Sequence, residues 1–173
     1  MISVTQALTV TGAIETEWFT PESALRGQIV HELTETFDCG ELVFVPPGLE
    51  GYIKAYAEFV DVVRPIYHAS ELEVVKAPWR LGGRIDRVCE LFGEPGILDF
   101  KTGAAAPWHG QQLAAYNALH PTGSRWCLYL KADGKWKLKT YDDPMDHHRF
   151  MGALAKALDR VDALGDYWIP RAA

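Results

Sequence analysis

Gly83-Arg-Ile-Asp-Arg-Val-Cys-Glu-Leu-Phe92, Gly93-Glu-Pro-Gly96 and Ile97-Leu-Asp-Phe-Lys101 follow one another without a break and decide the fold. The outer two stretches read as strands and the middle one as their connection, an antiparallel hairpin. In a strand, residues i and i+2 share a face, so Asp99 and Lys101 point one way and Phe100 the other. With Gly93–Gly96 as a four-residue loop, Phe92 opposes Ile97 and Asp86 opposes Gly103. Gly103 has the parity of Asp99 and Lys101, which puts all three charged side chains on one face. A one-residue slip would undo that arrangement. Two carboxylates on one face repel unless a cation lies between them, and hard oxygen donors favour magnesium or manganese.

Around this hairpin the coarse order is helices, strands, a helix, strands, a helix. Ser3-Val-Thr-Gln6 is a capping box opening a short helix that Gly12 ends. Thr20-Pro21 opens a second helix to about Phe37, with Leu25, Ile29, Leu33 and Phe37 as its apolar stripe and Val30 beside them. A third helix follows Pro46-Pro47-Gly48 and runs to about Val63, lined by Tyr52, Tyr56, Phe59 and Val63. Glu71–Lys76 is a strand and Trp108–Leu119 a helix. Arg125–Lys131 and Lys135–Tyr141 form a second hairpin around Asp133-Gly134. Asp143-Pro144 starts the last helix, with Phe150, Leu154, Leu158 and Val161 inward. The pattern predicts an α+β (mixed α/β) fold, a small mixed central sheet flanked by helices. It is expected as one domain over 1–173, with the helices of 1–65 packed on a core of 66–173.

Two helical pairs complete the chemistry. Gly27 and His31 stand at i, i+4 and are neighbours on one face, Gly27 letting another backbone come close. Glu35 lies one turn further. Gln112 and Tyr116 have the same spacing on the helix after Lys101. Taken singly, each reads more readily as ordinary structure than as part of a site.

Together and in this order, Gly27…His31, Gly83…Asp86, Asp99-Phe-Lys101 and Gln112…Tyr116 resemble the RecB-like branch of the PD-(D/E)xK nuclease superfamily. Trp18-Phe19 and the Trp108-His-Gly-Gln-Gln-Leu stretch are similar to small phage and prophage exonuclease-type members. The resemblance implies a restriction-endonuclease-like core and hydrolysis of DNA phosphodiesters with Mg2+ or Mn2+. It implies that Asp86, Asp99, His31 and the backbone carbonyl of Phe100 hold the metal. Lys101 would orient or deprotonate the attacking water and stabilise charge on the phosphate. Gln112 and Tyr116 would position these groups and the scissile strand. Glu35 and Glu73 are candidate acids behind the ligands, Glu73 also a candidate for a second metal. An exonuclease of phage-type recombination or repair is expected, with DNA as substrate. A recombinase or single-strand annealing protein and a second copy of the chain are candidate partners. A resolvase or nicking endonuclease, and a silent DNA-binding module, are the rival readings.

Composition bounds these readings. The 173 residues suit one domain at about 150 residues each. With 48% hydrophobic and 23% charged residues, the chain is neither a disordered tail nor a low-complexity scaffold. No apolar run approaches the ~18 residues of a membrane span, so no membrane partner is expected. The absence of a leader-like N-terminus, together with three scattered thiols, points to the cytoplasm, here of a bacterial host. Cys39, Cys89 and Cys127 are read as small buried side chains, with no pair spaced for an iron–sulfur cluster. The net charge of −6 argues against nucleic acid at first sight. Eight of the 23 acids lie in residues 1–50 beside Arg26 as the one base, however, and the remaining 15 acids face 16 bases. Lys135, Lys137 and Lys139 alternate with Trp136 and Leu138, and together with Lys131 and Arg125 they are either a DNA-backbone contact or a solvated hairpin face. Trp108 and His109 either stack on a base or cap the core.

Overall fold

The computed structural model describes residues 1–14, 20–41 and 44–165. Trp18-Phe19 lies outside these residues. In chain order the elements are β1 (Ile2–Ser3), α1 (Val4–Val10), α2 (Pro21–Asp38), α3 (Glu50–Val63), β2 (Ile66–Lys76), β3 (Leu81–Leu91), β4 (Glu94–Lys101), α4 (Trp108–Leu119), β5 (Ser124–Leu130), β6 (Trp136–Thr140) and α5 (Met145–Leu164). The predicted caps are present. Ser3 and Gln6 bond reciprocally as a capping box, and the Thr20 side chain accepts from Ser23 N–H with Pro21 in the first turn.

The fold is a mixed α/β layered structure. A six-stranded sheet runs β1-β3-β4-β5-β6, with β2 on the remaining edge of β3. The β1–β3 and β4–β5 pairs are parallel, the others antiparallel. Helices α1, α4 and α5 cover one face, burying Leu8, Leu113, Phe150 and Leu154 against Ile85 and Ile97. Helices α2 and α3 cover the other, burying Val30, Tyr56 and Phe59 against Leu98, Phe100 and Leu128. Each layer removes a row of large apolar side chains from water, the dominant favourable term in such a fold.

Three local expectations need correction. The β3–β4 turn is the two residues Phe92-Gly93, with Leu91 opposite Glu94, not the four residues Gly93–Gly96. Phe92 and Gly93 both have positive φ, 56° and 82°. That is the signature of the mirror-image two-residue turns that match strand twist. The register moves by an even number, so parity survives. Continuing the pairing one step past Arg87–Leu98 sets Asp86 across from Asp99 rather than Gly103. Helix α2 also rolls: Leu25 is exposed, and Val30 and Thr34 are the buried positions. Polar contacts to the sheet at Thr34 and Asp38 fix this face, which apolar periodicity does not register. Finally, Cys39 ends α2 in solvent, whereas Cys89 and Cys127 are buried.

Strands β2 and β3 slip together at one point. Ile85 and Val88 share the first core although three residues apart, while Cys89 and Leu91 belong to the second. On β2, Glu71 adopts φ 47°. The alternation of faces is thus interrupted at Glu71 and Asp86, just where the β3–β4 pairing ends. The two strands part there, and a pocket between layers becomes possible.

Candidate metal centre and active site

The splayed end of β3 and β4 collects the polar groups. From α2, His31 Nε2 donates to the Phe100 carbonyl at 3.1 Å, and His31 Nδ1 lies 3.5 Å from Asp86 Oδ2. Asp86 Oδ2 accepts from Phe100 N–H at 2.7 Å, which ties the carboxylate to the neighbouring strand. Glu71 Oε1 lies 4.0 Å from His31 Nδ1. One donor atom from each of His31, Glu71 and Asp86 fits within 4.8 Å. Glu71 Oε1 is buried and has no hydrogen-bond partner. Burial and then the Asp86 charge raise the Glu71 pKa above the ordinary glutamate range. Two carboxylates and an imidazole so clustered, with one buried oxygen outside any hydrogen bond, fit a divalent cation.

Asp99 and Lys101 stand beside this cluster. Asp99 is 3% exposed and pairs with Lys101 Nζ at 2.5 Å. Burial lifts the Asp99 pKa, against the pull of Lys101. Burial also opposes the Lys101 charge, but the carboxylates of Asp99 and Asp86 outweigh it and hold its pKa above the usual lysine value. On α4, Gln112 Nε2 donates to Tyr116 Oη at 3.3 Å, and Gln112 Oε1 is buried without a partner. Burial, then Asp99 and Asp86, push the Tyr116 hydroxyl pKa up, which reflects its position over the carboxylates. Gly83 makes room for that ring: a Cβ there would stand 2.7 Å from Tyr116 Cε1. Gly27 does not serve so close an approach. A Cβ on it would meet Thr102 Oγ1 at 4.0 Å, ordinary contact.

Other expected residues fall differently. Glu73 points to solvent and pairs with Arg84 at 3.1 Å. Glu71 takes the place expected of it, because the positive φ at Glu71 breaks strict alternation. That break has no signal in the local sequence. Glu35 is half-buried on α2, and its charge is felt at Glu71 and Asp38. His109 is 3% exposed and is not placed to stack on a base. Its Nδ1 meets Tyr129 Oη at 2.7 Å and accepts from Ala106 N–H at 3.3 Å, and Tyr129 Oη bonds on to Tyr141 Oη at 2.6 Å. Trp108 is half-buried, its ring 5.5 Å from Lys101 Nζ.

The lysines of β6 join the site by register. Asp99 pairs with Cys127 and Cys127 with Lys139; Lys101 pairs with Tyr129 and Tyr129 with Lys137. Directly paired residues share a face, so Lys137 and Lys139 continue the rows of Lys101 and Asp99, about 10 Å away across two strand spacings. Lys135 instead pairs with Asp133 in its own turn, at 3.1 Å. Arg125 turns elsewhere, its guanidinium donating to the Asp143 carbonyl. Among the described residues, no helix is long and apolar enough to cross a membrane.

No curated protein matches the sequence. Solved structures share the fold at low identity. The alkaline exonuclease LHK-Exo from Laribacter hongkongensis superposes with a TM-score of 0.51 at 13% identity, over 96% of this chain and 90% of that one. LHK-Exo in complex with dAMP gives 0.52 at 16% identity, over the same shares. A protein designated SSO0001 gives 0.52 at 17%, over 95% of this chain and 76% of that one. The family model for the PD-(D/E)XK nuclease superfamily matches residues 45–144, which span β2, β3, β4 and α4 and with them Glu71, Asp86, Asp99, Lys101, Gln112 and Tyr116. The chain belongs to the PD-(D/E)XK nuclease superfamily.

Proposed function

We propose that this chain is a metal-dependent deoxyribonuclease that digests linear DNA as an exonuclease in phage-type recombination or repair. The observation that carries the reading is the joining, at one splayed strand end, of a carboxylate–imidazole donor cluster with a half-buried lysine on a carboxylate. The exonuclease part is supported by likeness to an alkaline exonuclease. His31, Glu71, Asp86 and the Phe100 carbonyl would hold Mg2+ or Mn2+, with Asp99 completing the acidic wall. When bound, such an ion polarises a phosphoryl oxygen and acidifies a water.

The protein's own groups do the rest. Lys101, fixed on Asp99, donates to the attacking water and sets positive charge where negative charge grows on the phosphate. Gln112, with its free Oε1, and Tyr116 line the wall above the carboxylates and position the strand. Lys137 and Lys139 hold phosphates further along the backbone, and Trp108 offers a partly open ring beside Lys101. A single domain holds all these groups. A recombinase or annealing protein, and a second copy of the chain, are the partners this role would bring.

The test uses linear and covalently closed duplex DNA with manganese. Linear DNA is expected to disappear and closed circles to persist. Asp99→Ala and Lys101→Ala should each cost at least ~100-fold, the scale of losing a preorganised charge at a reacting phosphate. Activity surviving both changes would overturn the mechanism, and nicked circles would make the protein an endonuclease.

A further inference from the structure

Among the described residues, Arg87 is the largest side chain that the fold buries completely. It follows Asp86 directly and points into the α2/α3 layer, away from solvent. Its guanidinium has five donors in a rigid fork. Nη1 donates to the Asp86 carbonyl at 2.7 Å and lies 3.6 Å from Glu71 Oε1. Nε and Nη2 hold Asp38 Oδ2 at 2.9 and 2.8 Å. Nη2 also reaches Thr34 Oγ1 at 3.4 Å, and Thr34 Oγ1 donates to the His31 carbonyl at 2.8 Å. The guanidinium carbon lies 5.0 Å from the Phe100 ring centre. One group therefore lies against all four residues of the candidate centre: at Glu71 Oε1, at the Asp86 backbone carbonyl, at the Phe100 ring and, through Thr34, at the His31 backbone carbonyl.

That arrangement is expensive as a source of stability. A buried ion pair is commonly replaceable by apolar side chains at little or no loss. Here the counter-ion Asp38 is itself held by Tyr56 Oη at 2.7 and 2.8 Å, and Tyr56 bonds to Tyr67 at 2.9 Å. The charge of Arg87 is thus answered by Asp38, and its remaining donors are turned toward the ligand residues. What the fork supplies to the site is geometry.

We infer that Arg87 is a positioning residue, holding Glu71, Asp86 and the His31 turn of α2 at ligand spacing before an ion arrives. The inference rests on the metal-dependent reading above. Lysine at this position keeps the charge and loses the fork, so it separates the two roles.

The experiment is calorimetric titration of the whole protein with Mn2+, comparing wild type, Arg87→Lys and the charge-balanced pair Arg87→Met with Asp38→Asn. Both variants are expected to bind Mn2+ at least tenfold more weakly, with far-ultraviolet dichroism unchanged. Nuclease activity lost at low Mn2+ should return at saturating Mn2+, a rescue that general misfolding would not show. Affinity within twofold of wild type in Arg87→Lys overturns the positioning role and leaves the metal reading standing. Failure of both variants to fold overturns it too and assigns Arg87 to the core. Wild type that takes no Mn2+ removes the metal reading itself, and this inference with it.

Discussion

His109 is a neutral side chain next to a cation. Burial and then the Lys101 charge pull its pKa down to about 4, against about 6.5 for a free histidine. The folded state therefore binds this proton less readily than the unfolded chain. Its contribution to stability is full above pH ~6.5 and is lost as the pH falls toward 4, worth at most about 3 kcal/mol. His109→Gln should flatten that part of the profile, read from urea unfolding at pH 7 and pH 4.5. Identical slopes in the two proteins would refute the assignment. The i, i+2 pattern of Asp99 and Lys101 was legible because strand alternation needs no tertiary information. The fate of His109 was not, because a histidine at a helix start looks alike whether the next layer covers it or leaves it open.

Elements carry the site as much as residues do. Gly83→Ala would drive a Cβ into Tyr116 and Val4. A destabilisation of about 1–3 kcal/mol is expected from such overpacking, together with lower activity in the molecules that remain folded. Thermal unfolding and specific activity measure the two parts. On β6, Lys137→Ala with Lys139→Ala should lower the slope of log affinity against log salt by roughly 1.8, about 0.9 for each lost phosphate contact. Anisotropy of labelled duplex DNA on an inactive Asp99→Ala background reads that slope, and an unchanged slope would make the strand a merely solvated face. Helix starts at Ser3 and Thr20 were readable from caps, which are local chemistry. The β3–β4 turn was misread because Phe92 at φ 56° is a rare turn former, and Gly93-Glu-Pro-Gly96 offered the more familiar punctuation. The face of α2 was misread because a buried arginine, not an apolar stripe, decides it.

At the scale of the molecule, the candidate centre ties helix α2 of one layer to strands β2, β3 and β4 of the sheet. Manganese at about 100 times its dissociation constant should stabilise the fold by ~2.7 kcal/mol. For a chain of this length that is a rise in melting temperature of about 5–10 °C. Scanning calorimetry with and without the ion checks it, and Asp86→Asn should abolish the shift. The overall class was legible because the alternation of helix and strand periods survives any local slip. Glu71 was not, since it depends on two strands breaking step together.

The hydrogen bond from His31 to Phe100 spans 69 positions of the chain. An ion shared by those two residues would act as a reversible cross-link, comparable in loop size to a long-range disulfide, closing the α2–α3 layer onto the strands it covers. Chelation would then open that clasp without melting the sheet. The amides of α2, Pro21–Asp38, should exchange with solvent faster in the stripped protein than in the loaded one.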